Sequence, residues 1–453
     1  MTVIDPVQRA GALSAQLRQL GRRCPNSEEY FVRSGRLRRA VGLTLEAEGC
    51  NAPMGARVQI LCGEGREVSA EVVGFAHGRT LLMPLEHAAG LTPDAVVLRR
   101  GDGVARIGAE WLGRVVNANG RALDGRADPR GSRPSDALPP PINPLSRQRI
   151  TQPLDVGVRA INGVLSLGRG QRIGLFAGSG VGKSTLLGMM TRNTTADVVV
   201  VGLIGERGRE VADFVHDTLG PEGLARACVV AAPADAPPLA RLRGAWLATA
   251  VAEYFRDRGQ SVLLLMDSLT RFAHAGREIG LATGEAPATR GYPPSALARL
   301  PQLVERAGNA DGPGSITAIY TVLVDGDDLQ EPVADAARAV LDGHIVLSRA
   351  IAESGRFPAI DIEASVSRVM DAVTDQPQQQ AARRLRRLLA AYSAHRDLIT
   401  IGAYKAGSDP DTDEALARWS RIEAFLRQDT REAADLDSAR LALQGIFEDK
   451  GAS

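Results

Sequence analysis

One run of residues carries the sharpest chemical signal in this chain: Ala177-Gly178-Ser179-Gly180-Val181-Gly182-Lys183-Ser184-Thr185, placed directly after the apolar stretch Arg172–Phe176. Glycines at this density let successive backbone N–H groups curl around a phosphate, and a helix that starts within the run adds the positive end of its dipole. The lysine of such a loop reaches the β- and γ-phosphates, and the hydroxyl that follows it ligates Mg²⁺. The spacing therefore predicts a nucleotide site for ATP and Mg²⁺ built from Gly178, Ser179, Gly180, Val181, Gly182, Lys183, Ser184 and Thr185, with Ser184 on the metal. Ala177 stands where such loops usually open with glycine. It falls at the strand exit, where a methyl group is tolerated.

A phosphate loop needs a second acidic group near the metal. Val262-Leu263-Leu264-Leu265-Met266-Asp267 supplies one, because a buried strand delivers the Asp267 carboxylate at its C-terminal end. The competing reading of Asp267 is a helix N-cap ahead of Ser268 and Leu269. Hydrolysis also needs a group that orients or activates water. Glu206, in Gly205-Glu206-Arg207 after the apolar strand Val198–Leu203, is expected at the same sheet edge, one strand-end from the loop, as a general base.

These residues need elements to hold them. From about 150 to 375 the chain alternates β-branched runs with helix-like segments, which predicts an α/β core with a parallel sheet. Its strand candidates are Arg172–Phe176, Val198–Leu203, Cys228–Ala231, Val262–Met266 and Ile316–Val324. Ahead of it, residues 25–100 carry short β-type runs broken by glycine: Val41–Leu45, Val58–Leu61, Val68–Phe75 and Thr80–Pro84. Strands that short and that regularly spaced suggest a small β-barrel or sandwich. Residues 101–149, rich in Pro, Gly, Asp and Arg from Asp124 to Pro144, read as a connector. Residues 376–453 read as a helical domain in which Gln376–Gln380 is a polar linker and Arg383–Tyr392, Asp413–Leu426 and Arg431–Phe447 are helical. At the N-terminus, Leu13, Leu17 and Leu20 fall on one face of an amphipathic helix within residues 1–24, suited to packing on its own domain or docking a partner.

Composition excludes whole classes of function. With 453 residues, 24% charged and 44% apolar, the chain has core material for about three globular domains. Lys+Arg 54 against Asp+Glu 53 leaves +1, the wrong balance for a nucleic-acid coat. No apolar run approaches the roughly 20 residues of a membrane span, and no secretory signal opens the chain, so a cytoplasmic location is expected. Cys24, Cys50, Cys62 and Cys228 are scattered without metal or disulfide spacing. Arg383, Arg384, Arg386 and Arg387 alternate with leucines and read as a solvated helix face, and His344 reads as structural.

The loop, Gly205-Glu206-Arg207, Asp267 and the run Pro358-Ala359-Ile360-Asp361-Ile362-Glu363-Ala364-Ser365-Val366-Ser367 together resemble the catalytic subunits of the F1/V1 rotary ATPase superfamily. Within it, Arg290-Gly291-Tyr292-Pro293-Pro294-Ser295 and Asp342–Arg349 resemble the type III export ATPases. The loop core Gly-Ser-Gly-Val-Gly is similar to the flagellar branch, since injectisome loops typically read Ala-Ala-Gly-Gly-Gly. The resemblance implies a RecA-like P-loop core between a β-barrel and a C-terminal α-helical domain. It implies that Glu206 activates water with Arg207 beside it, that Arg368 serves a neighbouring subunit as an arginine finger, and that Phe357 stacks on adenine. Because Glu206 and Arg368 share one chain, a homohexameric ring would be self-sufficient.

By the same resemblance the partners are a stator-like regulatory dimer on the N-terminal helix, an export gate, export chaperones and flagellar substrates, with peripheral attachment at the inner membrane and no specific nucleic acid. Injectisome ATPase and rotary-synthase catalytic subunit are the alternatives. The Asp-Glu-Leu-Ser-Glu-Glu-Asp run of F1 beta chains is missing, which weighs against the second. An RNA-translocating ring would want an aromatic nucleic-acid surface, and aromatics are 4% of this chain. A nucleotide-binding assembly subunit without catalysis would typically lack Glu206.

Overall fold

The computed structural model describes residues 34–99, 105–134, 142–324, 328 and 330–448. The expected N-terminal helix lies outside the described residues. The chain divides into two compact units, residues 1–103 and 104–453.

In the first unit, six strands close into a barrel: β1 (Ser34–Val41), β2 (Thr44–Glu48), β3 (Arg57–Leu61), β4 (Glu67–Ala76), β5 (Arg79–Pro84) and β6 (Val96–Arg99), in the order β1-β2-β5-β4-β3-β6. Alternation drives closure. Val58 and Ile60 of β3, Val68, Ala70 and Val72 of β4 and Val97 of β6 point inward and are buried, while their neighbours face out. One expectation is corrected: Val41–Leu45 is a hairpin and not a strand. Gly42, at φ 56°, reverses the chain between β1 and β2 and leaves Val41 and Leu43 exposed.

The second unit is built on a twisted sheet whose strands run β7 (Arg114–Asn117), β8 (Arg172–Ala177), β9 (Val198–Ile204), β10 (Ala227–Ala232), β11 (Ser261–Asp267), β12 (Ser315–Leu323), β13 (Gly343–Leu347) and β14 (Ile360–Ser367). Their order is β14-β13-β8-β12-β11-β9-β10-β7, with the short strand Gly308–Asn309 also paired to β12. Every neighbour on the main path is parallel except β14, which returns antiparallel to β13. Strands β9, β10 and β11 are buried along their whole length, as their unbroken Val, Leu and Ala runs require in a sheet covered on both faces. The parallel strands end at one edge, where ligands bind in this architecture. Strand β7 comes from the stretch read as a connector: Arg114–Asn117 pairs with Cys228–Ala231.

Helix α1 (Arg159–Val164) packs under the C-terminal helices α9 (Gln376–Thr400), α10 (Pro410–Leu426) and α11 (Leu436–Gly445). Between them in chain order lie α2 (Lys183–Asn193), α3 (Gly208–Asp213), α4 (Pro238–Arg256), α5 (Leu269–Ala282), α6 (Pro294–Val304), α7 (Pro332–Val340) and α8 (Arg349–Glu353).

The glutamine tract is the second correction. Asp375 caps α9 by accepting the Gln378 N–H, so Gln376–Gln380 forms the first turns of a helix. The Gln378 side chain is buried and donates to the carbonyls of Asn162 and Gly163 and to Ser166 Oγ. The arginine face is divided. Arg383 and Arg387 meet Asp371 and Asp411 at the surface, but Arg386 turns inward to the Ile362, Ser365 and Val164 carbonyls. Helix α11 begins only at Leu436, because Asp435 caps it there, so 431–435 belongs to a loop. His344 packs edge-on against Phe176 with ring centroids 5.8 Å apart.

Candidate nucleotide site

The glycine-rich run leaves β8 at Ala177, turns at Ser179–Gly180 and enters α2 at Lys183. Gly180 and Gly182 adopt φ 79° and 94°, backbone that a side chain would strain, and this curls the loop so that its amides face one point. Val181 is buried and anchors the loop, while Ser184 and Thr185 in the first turn of α2 are open to solvent.

Two other strands deliver acids to the same place. Asp267 ends β11, which is separated from β8 by β12. Glu206 follows β9, three places from β8 in the sheet and not the one strand-end that spacing suggested. Lys183 ties them together: its Nζ lies 2.5 Å from Asp267 Oδ1 and 3.4 Å from Glu206 Oε1. Thr321 of β12 donates a third bond into the cluster, Oγ1 to Asp267 Oδ1 at 2.6 Å.

Burial opposes the charge of every member, and the pairing decides the outcome. For Lys183, burial pulls the ammonium's pKa down, but Asp267 and then Glu206 outweigh it and hold it above its ordinary value. For Glu206, burial pushes the carboxyl up to about 8, the Asp267 charge adds to this, and Lys183 works against it. The site thus holds a lysine for phosphate, a buried acid bonded by Lys183 and Thr321, and a second carboxyl pushed up to about 8.

Beside the loop lies a cavity of about 370 Å³ lined by Gly182, Leu186, Met189, Phe357, Gln428 and Thr430, among others. Phe357 is 44% exposed, and its ring carbons lie 3.8 Å from the point where a Cβ on Gly182 would sit. The opposite wall is a loop fastened by Gln428. Its N–H donates to the Phe357 carbonyl at 2.9 Å, its Nε2 to the Gly157 and Glu432 carbonyls, and its Oε1 accepts the Arg159 N–H. The apolar walls suit a base at the end of the phosphate track.

Two of the sequence-predicted residues stand away from the cluster. Arg207 begins α3 with a side chain 84% exposed and 3.7 Å from Glu210. Arg368 follows β14 at the opposite end of the sheet: its N–H bonds the Asp342 carbonyl ahead of β13, whereas Leu347 at the far end of β13 aligns with Ala177. Three participants escaped sequence reasoning: Thr321, Gln428, and Arg349, whose Nη2 donates to the Ser179 carbonyl at 3.3 Å. Thr321 looks like any β-branched strand residue. Gln428 lies far from the loop in sequence.

The donors fit a Mg²⁺-nucleotide: the hydroxyl of Ser184 and the carboxylate of Asp267 are the hard oxygen ligands that Mg²⁺ takes. Phosphate loop, acid-bearing strand two places away and a parallel sheet make the core a RecA-like P-loop ATPase.

Comparison with known proteins narrows the class. Residues 157–367 match the nucleotide-binding domain of the ATP synthase alpha/beta family, and residues 374–445 match the type III secretion EscN ATPase C-terminal domain. The flagellum-specific ATP synthase of Pseudomonas aeruginosa is 57% identical over 424 residues, covering 92% of this chain and 93% of that protein. The type 3 secretion system ATPase of Xanthomonas euvesicatoria is 45% identical, covering 92% and 95%. The assembled ATPase EscN from the enteropathogenic E. coli type III secretion system superposes with a TM-score of 0.85 at 42% identity, covering 91% of this chain and 99% of that one. The chain belongs to the flagellar and type III secretion ATPases of the ATP synthase alpha/beta family. It is an ATP-hydrolysing enzyme.

Proposed function

We propose that this chain powers flagellar protein export as a homohexameric ring whose active sites form between neighbours. The observation that supports the reading is the placement of Arg368 across the sheet from its own Lys183, a position suited to a second copy's site. In such a site Lys183 and the loop amides hold the phosphates, Ser184 and Asp267 hold Mg²⁺, and Glu206 accepts a proton from the attacking water. Bound Mg²⁺ would supply neutralisation of the phosphate oxygens. Phe357 stacks on adenine, and Arg207 adds positive charge once its loop closes. Arg368 of a neighbour stabilises the charge on the transferring phosphoryl group, an effect worth about 10³- to 10⁵-fold in rate.

The flagellar branch is favoured by identities of 57% and 56% to the Pseudomonas aeruginosa and Salmonella typhimurium flagellum-specific ATP synthases, against 45% for the Xanthomonas secretion ATPase. EscN has been seen with a central stalk, EscO. A stalk-like partner inside the ring, export chaperones and substrates on the C-terminal helices, an export gate at the inner membrane and a stator-like dimer on residues 1–24 complete the reading. Among the described residues no helix is long and apolar enough to cross a membrane, so attachment would be peripheral.

ATPase rate against protein concentration tests the central claim. Specific activity should rise cooperatively with concentration, and Glu206→Gln and Arg368→Ala should both abolish the rise. Flat activity per chain, retained by Arg368→Ala, would remove the trans-acting finger.

A further inference from the structure

Strand β12 lies between the strand that carries the phosphate loop and the strand that carries Asp267. Its Thr321 aligns with Leu175 of β8 on one side, and on the other side Tyr320 aligns with Met266, which puts Thr321 level with Asp267. Thr321 is 1% exposed, between Tyr320 and Val322 in a fully buried stretch of its strand. A valine would fill the same space, so packing does not call for the hydroxyl. The hydroxyl has a specific use: it lies 2.6 Å from Asp267 Oδ1 and 3.4 Å from the Met266 carbonyl.

Both bonds to Asp267, from Thr321 and from Lys183, fall on Oδ1. That fixes the carboxylate's rotation and leaves Oδ2 as the oxygen on offer to a metal or its water shell. Lys183 is a temporary partner, since its role in a phosphate loop is to move onto the β- and γ-phosphates. Thr321 stays. It is locked in the sheet, where a β-branched side chain has restricted χ1 freedom. It therefore keeps Oδ1 occupied during the part of the cycle in which the metal needs Oδ2.

We infer that Thr321 is a positioning residue for Mg²⁺: by holding Asp267 Oδ1 after Lys183 has left for the phosphates, it keeps Oδ2 directed to the metal. The inference rests on the reading of Asp267 as the metal-side carboxylate. Hydrogen-bond partners behind metal-site carboxylates are worth about 10- to 100-fold in metal affinity or activity.

The test is equilibrium binding of a fluorescent ADP to the full-length protein in EDTA and in Mg²⁺, which reads the affinity the metal adds without any turnover. Thr321→Val should cut that Mg²⁺-dependent gain by about tenfold, leave binding in EDTA within about twofold of wild type, and be rescued by Thr321→Ser. Thr321→Ala provides the same test if valine prevents folding, and unchanged binding in EDTA is the evidence that either variant is folded. Asp267→Asn separates the two claims. If it loses the gain and Thr321→Val keeps it, Thr321 does no positioning. If it keeps the gain, the metal assignment of Asp267 falls, and this inference with it. Equal losses in Thr321→Val and Thr321→Ser would also overturn the inference, because shape and not the hydroxyl would then be what matters.

Discussion

Glu206 is the residue whose chemistry depends most on being buried. Its carboxyl is pushed from an ordinary 4.5 up to about 8, first by burial and then by the Asp267 charge. Between those two values the folded chain binds a proton that the unfolded chain has already released. Stability contributed by this group is therefore full below pH 4.5 and is lost as pH rises through 8. Thermal midpoints of the nucleotide-free protein should fall between pH 5 and 8, and Glu206→Gln should flatten that slope by removing the titrating group. A slope identical in wild type and variant would show that Glu206 is ordinarily ionised. In turnover the same variant should lose about 10²- to 10⁴-fold, the usual contribution of a positioned base.

At the scale of elements, buried amides add directional ties to the apolar seam of Leu385, Leu388, Ile422 and Phe425 that packs the C-terminal helices on the core. Gln378 gives its amide N–H groups to α1 and to Ser166. Gln378→Leu would leave the Asn162 and Gly163 carbonyls and the Ser166 hydroxyl short of this donor, at a cost of about 1–3 kcal/mol, measurable as a shift in denaturant midpoint at constant slope. An unchanged midpoint would mean that these groups find other partners.

This joint also shows where sequence reasoning stopped. The core strands, the phosphate loop and Asp267 were legible because each is a local pattern: an apolar run, a glycine spacing, an acid at a strand end. The glutamine tract reads as a linker because polarity is the local signal, and only the carbonyls of a distant helix make it core. Glu206 is legible as an acid after an apolar strand, but its place three strands from the loop is not, since sheet order is a long-range property that spacing does not encode. Thr321 and Gln428 gave no signal at all. A β-branched residue in a strand and a glutamine after a helix are both unremarkable until the partner atom is known.

At the scale of the whole molecule, the proposed ring would divide each active site between two copies of the chain. Lys183→Ala should be inactive because it cannot hold phosphate, and Arg368→Ala because it cannot serve its neighbour. Mixed together they should regain part of the wild-type rate, since some interfaces in a mixed ring pair an intact Lys183 with an intact Arg368. Failure to recover activity in mixed assemblies would place the arginine's action within its own subunit.

The Gln428 fastening has a mechanical consequence. Phe357 and Gln428 both line the base cavity, and Gln428 follows Arg427, the residue that caps α10, whose partner α9 spans 25 residues. At 1.5 Å per residue that helix is about 37 Å long. It is tied to α1 near Gln378, and its other end, which meets Thr412 of α10 through His395, leaves Leu398 exposed. A displacement of the Gln428 loop as the cavity fills or empties would therefore be carried through α10 and α9 toward the tip that holds Leu398.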